Sequence, residues 1–141
     1  LPVGCFMRTS HGEYAEYHTS ADNLDFVRPN ALHESLEILL QGMHLLENNT
    51  VPLSTNPCCE PQLGKRGLYR AIAGQKEGAQ REMALLWVLN LSDGHHTLLD
   101  IAERAETPFD VIYAAAQALK NCHLLEESQG PLTQRHGGEG V

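Results

Sequence analysis

The stretch "HHTLLDIAERAETPFDVIYAAAQALKNCHLLEE", residues 95–127, decides how this chain is read. It holds two helix starts, each announced by a threonine. "HHTLLDIAERA" reads as a short helix capped by Thr97, whose hydroxyl can accept a hydrogen bond from an unpaired backbone N–H of the first turn. In "ETPFDVIYAAAQALKNCHLLEE" Thr107 stands where a second cap is expected. Pro108 opens the helix, because its missing N–H would have no partner there anyway. Phe109, Ile112, Ala116 and Leu119 recur at helical spacing and are expected to face inward. "HLLEES", residues 123–128, then reads as a strand. Just upstream, "AQREMALLWVLNLSDG" (79–94) gives another helix, with Met83, Leu86, Trp87 and Leu91 on overlapping faces and Ser92-Asp93-Gly94 to stop it.

Helix, short helix, turn, helix, strand is the order of a winged helix-turn-helix, expected here over residues 79–127. Such a domain invites a DNA-binding reading, and charge argues against it. Residues 81–127 hold three basic side chains (Arg81, Arg104, Lys120) against eight acidic ones, a balance of -5. Phosphate contacts supply nearly all non-specific affinity for nucleic acid, and this segment has few donors for them. Asp110 stands at the start of the presumed recognition helix, where a base-reading helix usually presents polar or basic groups. The expected role is packing or protein interaction, with no nucleic-acid partner. The Gly-rich tail, 128–141, is expected to fray.

Working toward the N-terminus, residues 49–78 are punctuated by proline and glycine and read as a linker with short strand pieces, "GLYRAIAG" (67–74) being one. Lys65, Arg66 and Arg70 make the only basic cluster, a short one. Residues 1–48 begin with an extended piece, "VGCFMRT" (3–9), and a loop. They end in "RPNALHESLEILLQGMHLLEN" (28–48), where Leu32, Leu36, Leu39, Leu40, Met43 and Leu46 recur at helical spacing after Pro29. That leucine stripe has nothing in this chain to cover it, so it predicts self-association or a missing neighbour.

With 42% hydrophobic and 20% charged residues the 141-residue chain can build a packed core. Its net charge of -8 repels phosphate backbones. No apolar stretch is long enough to span a bilayer. The four cysteines, Cys5, Cys58, Cys59 and Cys122, include no Cys-x-x-Cys pair, and Cys58-Cys59 are adjacent, a poor geometry for a mutual bridge. They read as reduced thiols of a cytoplasmic protein. The chain begins at Leu1 with nothing like a signal peptide, and the expectation is a piece of something longer.

Of the eight histidines, His11, His33, His44, His95, His96, His123 and His136 read as ordinary side chains. His18 differs by its place. "EYHTSADNLDF" (16–26) sets an imidazole at the lip of a turn between an extended piece and a helix. Neutral imidazole is a good zinc ligand, and Glu13, Glu16, Asp22 and Asp25 offer acceptors for its other ring nitrogen. One histidine cannot hold zinc alone.

"GEYAEYHTSADNLDFV" (12–27) resembles the last metal-ligand segment of the co-catalytic zinc aminopeptidases, metallopeptidase family twenty-eight. In that family a Tyr-His-Thr or similar triplet gives the final ligand. "GCFMRTSHGEYAEYHTSADNLDFV" (4–27), "EPQLGKRGLYRAIAG" (60–74) and "REMALLWVLNLSDGHHTLLDIAERAETPFDVI" (81–112) are similar to a bacterial aminopeptidase-like branch. That branch is labelled a domain of unknown function and is often encoded beside polysaccharide-biosynthesis genes. Ser10 and Ala15 stand where relatives are expected to carry proline. The resemblance implies the C-terminal end of an α/β zinc-peptidase domain followed by a mainly α winged helix. It implies His18 as a zinc ligand, and it leaves the role of Tyr17 open. It further implies that the remaining ligands and a catalytic glutamate lie upstream. The full-length protein would hold about two zinc ions and hydrolyse a peptide or aminoacyl substrate, the metal polarising the carbonyl and activating a water. A non-catalytic interaction protein on a peptidase-like scaffold is the alternative.

Overall fold

The computed structural model describes residues 4–69 and 76–128. Its elements follow in the order α1 (Pro29–Asn48), β1 (Pro52–Ser54), a 3-10 turn (Leu63–Arg66), α2 (Lys76–Leu91), α3 (Leu98–Arg104), α4 (Phe109–Asn121) and β2 (Leu125–Glu127). Two units divide the chain, one up to His44 and one from Leu45 onward.

Among the described residues the extended core lies in the second unit. Leu98 and Ile101 of α3, Ile112 and Leu119 of α4, and Val88 of α2 are all at most 1% exposed, and Leu63 of the 3-10 turn joins them. The short α3 is closed at both ends of its first turn by a reciprocal cap. Thr97 Oγ1 accepts from the Asp100 N–H at 3.1 Å, and Asp100 Oδ2 accepts from the Thr97 N–H at 2.8 Å. Two more bonds come from far away: Asn49 Oδ1 accepts from the Leu99 N–H at 2.8 Å, and the Thr50 carbonyl accepts from the Leu98 N–H at 3.0 Å. All four serve N–H groups that a helix cannot pair internally.

The expected cap of the next helix is corrected. Pro108 occupies the N-cap position of α4, and the Thr107 hydroxyl turns back to donate to the Ala105 carbonyl at 3.0 Å. The Thr107 N–H bonds to Ala102 O, so this residue closes the α3–α4 turn instead of opening α4. On α2 the buried face is Ala84, Leu85 and Val88, while Leu86, Trp87 and Leu91 are half-buried and Met83 is exposed. Apolar residues surround this helix, so spacing alone does not pick the face that meets α3 and α4.

The wing is minimal. β1 pairs antiparallel with β2, Leu53 facing Glu126, and on its other edge Leu53 bridges to Asp93. Ser54 N–H donates to Ser92 O at 2.8 Å and Gly94 N–H to Pro52 O at 3.1 Å. Gly94 has φ of 81°, and a Cβ there would come within 3.3 Å of Leu53 Cδ1, so glycine is favoured by both backbone and space. The punctuated segment before α2 thus contributes a strand and a core residue to this unit. Of the strand expected at 67–74, Gly67–Tyr69 form a turn and residues 70–74 lie outside the described ones, as does the tail from 129.

The first unit is a run of turns leading to α1. No strand occurs among its described residues, so the extended piece expected at 3–9 is irregular from residue 4. Arg8 ties it down, both terminal nitrogens donating to Glu34 Oε2 at 2.9 Å and one also to Ala31 O. No residue of α1 is buried: Leu32, Leu36, Ile38, Leu39, Leu40, Met43 and Leu46 are all exposed. Among the described residues no helix is long and apolar enough to cross a membrane.

Candidate functional site

His18 sits where the chain reverses. Its φ is 58°, in the left-handed region that side chains other than glycine seldom adopt. The residues after it hold that turn. Thr19 donates its hydroxyl to the Glu16 carbonyl at 2.8 Å, and its Oγ1 accepts from the Ala21 N–H at 3.2 Å. Asn23 Oδ1 accepts from the Asp25 N–H at 2.8 Å, and Asn23 Nδ2 donates to Ser20 O. Asn23 thus caps a backbone N–H in this turn.

Aromatic rings stand behind the imidazole. The Tyr17 ring meets His18 edge-on at 4.2 Å between centroids, Tyr14 meets Tyr17 edge-on at 5.5 Å, and Tyr14 stacks on Phe26 at 5.8 Å. His11 lies 5.7 Å from Tyr17. The ring of His18 is therefore exposed on one side and backed by Tyr17 on the other. Among the described residues no three His, Cys, Asp or Glu side chains come together as a metal site. His18 is one candidate ligand, and the residues described here do not complete a zinc site around it.

A second feature lies in the other unit and was not foreseen. The segment Ser54–Pro61 runs past α2 and leaves an open groove of about 640 Å³. Met83, Leu86 and Trp87 line it, with Pro57 and Glu60 from the segment and Asp93 from the turn after α2. Sequence reasoning missed it because one wall is irregular backbone with no periodicity. The signal available was Trp87 itself, a large ring beside an exposed Met83 on a helix.

Among the described residues Asp93 is the most perturbed carboxyl. Its acidity is held at about 2, first by the His95 N–H and then by the His96 ring and N–H, against the opposing effect of burial. Its Oδ1 accepts from the N–H groups of His95 (2.8 Å) and His96 (3.1 Å), and Oδ2 pairs with His96 Nδ1 at 2.9 Å. His96, read from sequence as an ordinary side chain, is half-buried in this turn, while His95 is exposed. All four cysteines are free thiols, with Cys122 half-buried and the others exposed.

The three helices, the short wing and the capped α3–α4 turn define the class. Residues 50–127 match a winged helix-turn-helix family model, and the chain belongs to that family. Residues 1–49 match the model of a domain of unknown function (DUF4910). A relative from Clostridium acetobutylicum, named a polysaccharide biosynthesis protein with aminopeptidase-like domain, is 47% identical over 126 residues. That match covers 89% of this chain and 29% of the relative. A crystal structure from the same organism, described as a peptidase, superposes with a TM-score of 0.70 at 42% identity. It covers 81% of this chain and 24% of that one. The chain therefore spans less than a third of the length of either relative.

Proposed function

We propose that this chain is the C-terminal part of a zinc-dependent aminopeptidase-like hydrolase. In this reading the segment before residue 49 supplies the last zinc ligand, His18. Residues 50–127 supply a winged helix that engages protein. The observation that carries the reading is the Tyr17-His18-Thr19 turn. It presents an exposed imidazole from a backbone conformation that costs energy to hold. The similarity to a relative named for an aminopeptidase-like domain supports it. The peptide or aminoacyl substrate, and the rest of the metal site, would belong to the longer protein.

The test is metal content. In the full-length protein, the His18→Ala variant is expected to lose one of about two zinc ions and most hydrolysis of aminoacyl test substrates. Unchanged metal content in that variant overturns the ligand assignment. A full-length protein that takes up no zinc leaves the alternative, a peptidase-like scaffold that only carries an interaction module.

The protein-engaging role of the winged helix has its own support. Lys120, the basic residue of α4's last turn, is paired with Glu127 of β2, and Asp110 lies in α4's first turn. With a balance of -5 over residues 81–127, duplex DNA finds repulsion where it needs donors. Anisotropy titration of labelled duplex at physiological salt is expected to show no complex, and a micromolar one would reverse the reading.

A further inference from the structure

We propose that the groove between α2 and the segment Ser54–Pro61 is a docking site for a basic, extended peptide segment of a partner protein. This deepens the interaction-module reading of the winged helix and rests on it. It is independent of His18.

Charge carries the choice of partner. Two of the lining residues are carboxylates from different elements, Glu60 on the irregular wall and Asp93 on the turn after α2. Asp93 faces the N–H groups of His95 and His96 and the His96 ring, which hold it ionised throughout the physiological range. Glu60 accepts a hydrogen bond from the Tyr69 hydroxyl at 3.1 Å. That hydroxyl is made harder to ionise by burial, by Glu60 and by the nearby Glu82, so negative potential extends beyond the lining itself. The groove also runs along the C-terminal half of α2, past Asn90 to Ser92. A helix C-terminus carries partial negative charge, and the last turn of α2 holds no basic residue to offset it. Among the described residues no lysine or arginine lines the groove.

The apolar part suits the stem of a long cationic side chain. Trp87 lines the groove, and an indole ring attracts an ammonium or guanidinium group. Met83 is 54% exposed, a flexible thioether of the kind found on adaptable binding surfaces. A volume of about 640 Å³ is within the range of ligand pockets, which bury most of a small ligand. This groove is open and cannot enclose one. A chain that runs through it and continues on both sides fits better.

Trp87 is the only tryptophan in the chain, so its emission reports the groove directly. The full chain is titrated with a blocked lysine–leucine peptide, its glutamate–leucine counterpart, and blocked lysine alone. The expected result is a saturable change with the first, none with the second, and binding at least about tenfold weaker for blocked lysine. The exposed-site variants Met83→Lys and Glu60→Lys are expected to weaken the lysine peptide by about tenfold. Glu60→Gln, which removes one exposed charge, should weaken it about threefold. No saturation below about 1 mM overturns the proposal. So does equal binding of the glutamate peptide, undiminished binding by Met83→Lys, or blocked lysine binding as tightly as the peptide, which would mark a small-cation site. A parallel titration with duplex DNA separates the failures. If DNA binds, the interaction-module reading falls; if neither DNA nor peptide binds, only the groove falls.

Discussion

The two units carry the same kind of helix and treat it differently. α1 and α4 are both amphipathic, with leucine or isoleucine at helical spacing. In α4 those positions meet α2, α3 and β2, and Ile112 and Leu119 are wholly buried. In α1 no position is buried, and Leu36 is 52% exposed. An apolar stripe states what a helix needs, and only a neighbour supplies it. The winged helix has those neighbours within residues 50–127. α1, which lies before that span, leaves its stripe exposed.

The contrast is most easily broken by paired truncations. Ile112→Ala is expected to destabilise the chain by about 2–5 kcal/mol, since a side chain with no exposure leaves a cavity. Leu36→Ala, on the same kind of stripe, is expected to change stability by less than about 0.5 kcal/mol. Urea unfolding followed by Trp87 emission measures the first, and far-UV circular dichroism, which also reports α1, measures the second. Equal costs would mean that the α1 stripe is covered in solution.

A smaller effect sharpens the account of the winged helix. Thr97→Ala removes one half of the reciprocal cap on α3 and is expected to cost about 1 kcal/mol, read from the same unfolding curves. Thr107→Ala is the internal comparison, because its hydroxyl donates to a turn carbonyl and caps nothing; a smaller loss is expected there.

The smallest effect is a pH dependence. Asp93 is more acidic when folded than its ordinary value of 3.8, at about 2. The stabilisation from its ionised form is therefore fully present above about pH 4. It is lost as pH falls toward 2, where the folded protein takes up the proton that the unfolded chain already holds. The Asp93→Asn variant should show a shallower loss of stability over that window. An identical acid profile would remove Asp93 from the account.

Much of the second unit was legible because its signals are local. Thr97 before an apolar run, Pro108 before another and the turn at Ser92–Gly94 each act within a few residues. What escaped was set by distance or by symmetry of pattern. β1 is three residues flanked by proline, too short to show alternation, and it exists because β2 and Asp93 flank it. The inner face of α2 is ambiguous because apolar residues surround the helix. The groove needs an irregular wall that no periodicity announces. In the first unit, the turn at His18 was legible in "EYHTSADNLDF" (16–26). The metal function rests on resemblance, since one imidazole cannot specify the ligands that would join it.

The bond from Asn49 to the Leu99 N–H spans fifty positions of sequence. α3 is only seven residues long, below the length at which a helix holds together in water by itself. Its first turn is completed by a residue that must arrive from the end of α1. The order of events in folding is thereby constrained: α2 and α4 can begin from local contacts, whereas α3 waits on a long loop closure. Asn49→Ala should therefore slow refolding as well as lower stability, and the residues just after α1 become a timing element for the winged helix.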